Sequence, residues 1–222
     1  MYIDSDYIDN LIDSVNIIVM AKSKSTPFHH GDLKRVLFDI ALARLDEHGA
    51  GGVTIRAVAK AAGVSHGAPV NHYKDRRALL TAIAKAQFET LLNEIDTKLA
   101  VANQGHSPRI EIFADVMTDF GFRYPHRYRL LWSADLIDHA DAELLSIMDK
   151  IYDQLCTEFT KGAQGREFDK DTYAVALWAM VHGYVDLRLS GMFEPMNDSI
   201  SGAPRGEAII DMFKKIWRDQ PL

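Results

Sequence analysis

Cysteine is nearly missing from this chain: one residue in 222, Cys156. A lone cysteine closes no internal disulfide and builds no Cys-rich zinc framework, and it suits a reducing compartment. Its plainest role is a small buried side chain. Seven prolines and fourteen glycines are close to ordinary usage, which excludes collagenous and low-complexity chains. No apolar run approaches the roughly 18 residues of a membrane span. The first twenty residues, MYIDSDYIDNLIDSVNIIVM, lack the basic start and small-residue cleavage site of a secretory signal. A cytoplasmic protein with no membrane partner is expected. Catalytic signatures are missing too. There is no H-E-x-x-H, G-x-G-x-x-G or G-K-[ST], so neither a catalytic metal nor a phosphate cradle is implied. Ser133, Asp138 and His139 lie close in sequence but lack the strand-turn-helix of a nucleophile elbow. The chain is read as a non-enzyme with no cofactor and no metal.

What is present is 47% hydrophobic and 25% charged, enough for one good-sized core or two small ones. The net charge of -6 argues against a polyanionic partner until it is divided along the chain. Residues 1–20 hold four aspartates and no base; residues 21–77 hold ten Lys and Arg against five acids; residues 78–222 hold fifteen against twenty-two. A basic fragment of domain size beside an acidic remainder is the asymmetry of a chain that approaches a polyanion with one part only. The charge break at Met20 leaves both Met1 and Met20 as native starts, and residues 21–30 read as a polar, basic arm.

From Asp32 the pattern is helical. Leu33, Val36, Leu37, Ile40 and Ala41 recur at spacings of three and four, with Asp32 as cap and Gly49 as stop. A short helix over 54–62 follows, capped by Thr54 and ended by Gly63. Ser65 is read as the cap of another short helix through about Asn71, and a long helix runs from 75 to about 102. Beyond Gly105 the expected helices are 108–124, 126–138, 141–162, 171–190 and 206–218, with loops at 162–166 and 191–206 and no strand of weight. The fold class is all-α. The division is an N-terminal extension over 1–29, a three-helix helix-turn-helix domain over 30–77 with its motif at 54–73, and a helical domain over 78–222.

The informative stretch is TIRAVAKAAGVSHGAPVNHYKDRR, residues 54–77. Ala57, Ala59, Ala61 and Ala62 keep one helix slim, Gly63 supplies a left-handed turn, and Val64 plugs the angle to the next helix. This is a helix-turn-helix pattern, whose second helix enters the major groove of DNA. Ser65, His66, Gly67 and Ala68 are then expected at its entry, where free N-H groups favour phosphate or acceptor-rich base edges. His66, Asn71 and Arg56 are candidates for base edges, and Thr54, His72, Lys74 and Arg76 for phosphates.

These residues resemble the TetR family of transcriptional regulators. The resemblance rests on Thr54-Ile55-Arg56, Ala59, Ala62-Gly63-Val64-Ser65, His72-Tyr73, Asp75-Arg76 and Ala78-Leu79-Leu80, with His29-His30-Gly31-Asp32-Leu33 upstream. It covers about a quarter of the chain. Two positions depart from the family pattern: Val70 stands where a phosphate-touching tyrosine is usual, and Arg76 replaces a lysine, which keeps charge but not shape. The resemblance implies a homodimer on a pseudo-palindromic operator, and an all-helical C-terminal domain that binds a small-molecule effector and alters the separation of the two reading heads. A repressor released by its effector is the expected function; a helical interaction module with a basic N-terminal face is the alternative.

The run Trp178 to Gly183, with His182, resembles the tryptophan-histidine-glycine (WHG) pattern of one C-terminal subfamily. Candidate effector-pocket residues are Phe113, Met117, Phe120, Trp132, Tyr152, Phe159, Trp178 and His182, with Tyr173 beside them; core packing is the competing role for each. Two apolar stripes, one with Trp178, Val181, Val185 and Leu189 and the other with Ile209, Ile210, Phe213, Ile216 and Trp217, suit either a four-helix subunit interface or packing within one subunit. The candidate interface set is Val181, Val185, Leu189, Ile209, Phe213, Ile216 and Trp217.

Overall fold

A computed structural model describes residues 30–102, 109–162 and 167–218, and the chain is all-α. The readings made for residues 1–29 lie outside these. Eight α-helices occur among the described residues: α1 (His30–His48), α2 (Ile55–Ala61), α3 (Arg76–Val101), α4 (Ile110–Arg123), α5 (Pro125–Leu131), α6 (Ala142–Gly162), α7 (Lys170–Leu189) and α8 (Arg205–Arg218). The chain divides into two units, Met1–Val36 and Leu37–Leu222. The described part of the first is the opening of α1, and all later elements belong to the second.

Helix limits follow from local chemistry. Thr54 caps α2 by accepting the Ala57 N-H at 3.1 Å, Asp75 caps α3 through the Ala78 N-H at 2.8 Å, and Asp169 caps α7 through Asp171 and Thr172. Asp141 caps α6, accepting the N-H of Leu144 at 2.9 Å. The first helix begins at His30, two residues ahead of the expected Asp32 cap, and ends before Gly49, whose φ of 66° breaks it.

Two expected helices are shorter. The helix expected over 126–138 stops at Leu131. Backbone groups beyond that point are captured by tertiary partners: the Ile137 carbonyl accepts from Arg77 Nη2 at 2.8 Å, and the Asp138 N-H donates to Thr81 Oγ1 at 2.9 Å. The element after Gly63 is a 3₁₀ turn over Ala68–Asn71 rather than an α-helix from Ser65. Pro69 has no N-H to give, and Val70 and His72 donate to Gly67 and Pro69 three residues back.

Within the second unit α3 is the central rod. Its Leu79, Leu80, Ile83, Phe88, Leu91 and Ile95 are fully or almost fully buried, and it packs on α6, α4 and α5, while α7 lies against α4 and α6 and α8 against α4. The α4–α7 crossing is close because Gly121 has no side chain: a Cβ there would sit 2.5 Å from Val185 Cγ1.

Candidate nucleic-acid interface and ligand cavity

The turn after α2 carries the reading-head candidates. Ala59 is buried and Val58 fully so, and Gly63, at φ 67°, lets the chain reverse. The Gly63 N-H donates to the Lys60 carbonyl at 3.2 Å and the Val64 N-H to the Ala59 carbonyl at 3.1 Å, which satisfies the last carbonyls of α2. Buried Pro69 and Tyr73 hold the 3₁₀ turn against this corner. Thr54, Arg56, Ser65, His66, Gly67, Asn71 and Lys74 are exposed, and Ala68 and His72 partly so. Thr54 Oγ1 accepts as a cap and keeps its proton free to donate outward. Val70 is 51% exposed, so the departure from the family's tyrosine is a surface one. Lys60, four residues after Arg56, is exposed as well. The i, i+4 spacing on α2 carried that signal, and the sequence reading passed over it.

Arg76 has a different task from the phosphate contact expected of it. Its Nε donates to the Val53 carbonyl and its Nη2 to the Ala50 carbonyl, both at 2.7 Å. Arg44 Nε adds a bond to the Gly52 carbonyl at 2.9 Å. Two guanidinium groups therefore hold the segment over 50–53 that sets the entry angle of α2. The expectation of a helix-dipole anion site at Ser65 also falls, because a four-residue 3₁₀ turn has no appreciable dipole.

A second feature lies deep among α3, α4, α6 and α7. Ile95, Phe113, Met117, Leu155, Trp178 and His182 are among the residues around a cavity with space for about one water molecule. The candidates Phe113, Met117, Trp178 and His182 thus meet at one place. Phe120 does not line it and packs on Tyr124. Phe159 belongs to a separate aromatic cluster with Tyr173, Phe213 and Trp217, and Tyr152 spends its hydroxyl on Asp171 at 2.9 Å. Trp132 stands one layer behind the cavity, its ring centroid 4.2 Å from that of His182 and 5.7 Å from that of Trp178. Tyr128, missed in the sequence, hydrogen-bonds His182 Nδ1 through its hydroxyl. Burial, partly offset by Asp186, holds the His182 pKa down at about 4, and burial raises that of Tyr128. Both groups are neutral at pH 7.

The same short α5 faces the other way through Arg127. Its guanidinium grips the Asp46 carboxylate with two bonds, one of 2.7 Å, donates to Gln87 Oε1 at 3.1 Å, and lies 4.2 Å from the Tyr124 ring. One seven-residue helix therefore touches the end of α1 with one residue and the His182 cavity wall with the next.

Of the residues assigned to a subunit interface, most are consumed by the chain's own core. Val181 lines the cavity, Val185 packs at Gly121, and Phe213 and Trp217 stack on Phe159. Leu189 and Ile209 are partly covered, and Ile216 is 51% exposed. The face of α7 left open is another one: Val175, Ala179, Gly183 and Leu187 are all exposed at strict four-residue spacing, and a Cβ on Gly183 would meet no described residue within 4 Å. No described helix is long and apolar enough to cross a membrane.

Comparison with known proteins places this architecture. The family model for bacterial regulatory proteins of the tetR family matches residues 37–83, and the model for the tetracyclin repressor-like C-terminal domain matches residues 110–213. The chain belongs to the TetR family of transcriptional regulators. A solved protein of unknown function from Rhodococcus sp. RHA1 is 28% identical, covering 87% of this chain and 98% of its own, at a TM-score of 0.70. The TetR family regulator PfmR from Thermus thermophilus is 14% identical over 84% of this chain and 99% of its own, at a TM-score of 0.58. AibR, solved with isovaleryl coenzyme A and operator DNA, is 17% identical over 82% of this chain and 96% of its own, also at 0.58. At these identities the last two share the fold. No curated protein matches the chain.

Proposed function

We propose that this TetR-family chain is a sequence-specific, DNA-binding repressor, not an enzyme, that works in the cytoplasm as a homodimer and leaves its operator when a small effector enters the C-terminal domain. The observation that carries the reading is the exposed set around the Gly63 corner: Ser65, His66 and Asn71 offer hydrogen-bonding groups beside the cationic Arg56, Lys60 and Lys74. Arg56, His66 and Asn71 read base edges, while Thr54, Lys60 and Lys74 position phosphates. The Trp178, His182 and Gly183 pattern supports a place for the C-terminal domain in the tryptophan-histidine-glycine subfamily. The AibR structure holds isovaleryl coenzyme A together with operator DNA, a pairing of DNA with a non-protein ligand like the one proposed for this chain.

Release follows from two paths between cavity and reading head. On α3, Ile95 lines the cavity and Arg76, at the other end, holds the segment before α2. On α5, Tyr128 contacts His182 and Arg127 holds Asp46. A dimer reads two half-sites about 34–36 Å apart, so an effector that spreads the cavity wall changes that spacing and weakens binding.

The test is selection of fragments of the source genome by the purified protein, followed by gel shift. A short pseudo-palindromic site, bound with an affinity that falls steeply as salt rises, is expected. Arg56→Ala should relax preference at one base pair, at a cost of about 1–3 kcal/mol in discrimination, while Lys74→Ala should weaken all sequences alike and flatten the salt slope. Weak, sequence-blind binding would instead favour a helical interaction module.

A further inference from the structure

The cavity wall carries more information than its apolar character. Every described residue around it except His182 is hydrophobic, and none of them is charged. His182 uses Nδ1 on the Tyr128 hydroxyl, and its Nε2 is buried without a partner among the described residues. The indole Nε1 of Trp132, whose ring stacks edgewise on His182, is likewise buried and unpartnered.

Proton accounting fixes what these atoms offer. The indole N-H is a donor only. Tyr128 is 3% exposed and has Nδ1 as its hydrogen-bond partner. If its O-H donates to Nδ1, one polar group is left over, the Nε2-H. If Nδ1-H donated instead, the tyrosine proton and the Nε2 lone pair would both be stranded in an apolar site, each with a desolvation cost. The first arrangement leaves fewer buried groups unsatisfied, and burial keeps the imidazole neutral. Among the described residues the wall therefore presents one unspent N-H donor, the His182 Nε2-H, and no cation, with the unspent Trp132 Nε1-H one layer behind it.

We infer that the effector is a small, uncharged, largely apolar molecule bearing a carbonyl oxygen, which accepts a hydrogen bond from the His182 Nε2-H and, once the wall yields to admit it, a second from the Trp132 Nε1-H behind. This rests on the proposed ligand-responsive function and names the chemical class of the ligand. Carboxylates are disfavoured, because such an anion would be desolvated with no positive partner in the wall. Pure hydrocarbons leave both donors unsatisfied. The narrow cavity holds about one water, so entry requires side chains to yield. Met117, with its flexible thioether, and half-buried Trp178 are the walls best able to do so.

Three probes of similar size separate the possibilities: acetophenone, ethylbenzene and benzoate, titrated calorimetrically into the full chain at about pH 7.5, where the imidazole is neutral. Acetophenone should bind tightest, ethylbenzene about five- to thirtyfold weaker for the loss of one to two neutral hydrogen bonds, and benzoate weakest. In His182→Phe the preference for acetophenone over ethylbenzene should shrink toward unity while ethylbenzene still binds; Trp132→Phe should shrink it in part. Equal or tighter binding of ethylbenzene by the unmodified protein, tightest binding of benzoate, or binding of none of the three overturns the inference. So does an undiminished preference in folded His182→Phe, and if that variant does not fold, the rank order in the unmodified chain and in Trp132→Phe decides. Gel shift of the same preparation on selected operator DNA reports separately on the regulatory reading, so loss of one does not imply loss of the other.

Discussion

Arg76 shows how much depends on where one guanidinium points. Its two bonds to the Val53 and Ala50 carbonyls join the first turn of α3 to the segment ahead of α2. Charge-assisted bonds of this kind contribute about 1.5–3 kcal/mol. Arg76→Ala should lower the unfolding free energy by about 2 kcal/mol in urea titration, toward the lower end of that range because the site is only partly buried. Arg76→Lys should recover less than half of the loss, since a point charge cannot reach two carbonyls with a planar fork. His182 gives a pH signature. Its pKa is lowered from 6.5 to about 4 in the folded chain, so the unfolded chain binds the extra proton first as pH falls. The stability it contributes is present above pH 6.5 and is lost progressively as pH falls toward 4. The capping carboxylates Asp141 and Asp169 and the loop carboxylate Asp198, held down by hydrogen bonds to backbone and side-chain donors, add their losses only at lower pH. Melting midpoints measured from about pH 7 to 4 should decline from about 6.5 downward, and His182→Phe should flatten the upper part of that decline.

At the scale of elements, α5 is the piece that the sequence understated. It is seven residues long, yet Arg127 and Tyr128, adjacent on a helix and hence about 100° apart, reach α1 and α7 respectively. A double-mutant cycle on Asp46→Ala and Arg127→Ala, read by urea denaturation, should give a coupling of about 1 kcal/mol or slightly more, the upper end for a bidentate pair that is only partly exposed. Additive losses would show that α5 is anchored by packing alone. The same helix explains why the expected span of 126–138 was too long: the periodicity continues past Leu131, but Arg77 and Thr81 of α3 take the backbone groups of Ile137 and Asp138. Hydrogen-bond competition from a residue some 60 positions away leaves no trace in local spacing.

For the whole molecule, the open four-residue ladder Val175, Ala179, Gly183 and Leu187 on α7, together with exposed Met212 and Ile216 on α8, is the surface proposed to meet a second copy. Small residues at the middle of the ladder let two helices approach closely. Gly183→Arg should leave the fold intact, because no described residue lies within 4 Å of a Cβ at that position, and should convert the proposed dimer to monomer in sedimentation equilibrium. Operator affinity should fall by orders of magnitude with it, since one half-site contact is then lost. A variant that stays dimeric would move the interface elsewhere.

Sequence alone determined the helical class, the capping role of Thr54, the slim pair of turns around Gly63 and the family, because each is written in spacings of a few residues. Tertiary structure decided which side of each helix is spent. Trp178 and His182 belong to one wall while Phe159 and Trp217 belong to another, Arg76 faces inward, and the free face of α7 is the small-residue ladder rather than the larger stripe beside it. The physical reason is that an apolar stripe records only that something covers it. Whether the cover is α4, a ligand or another subunit depends on where distant segments come to rest.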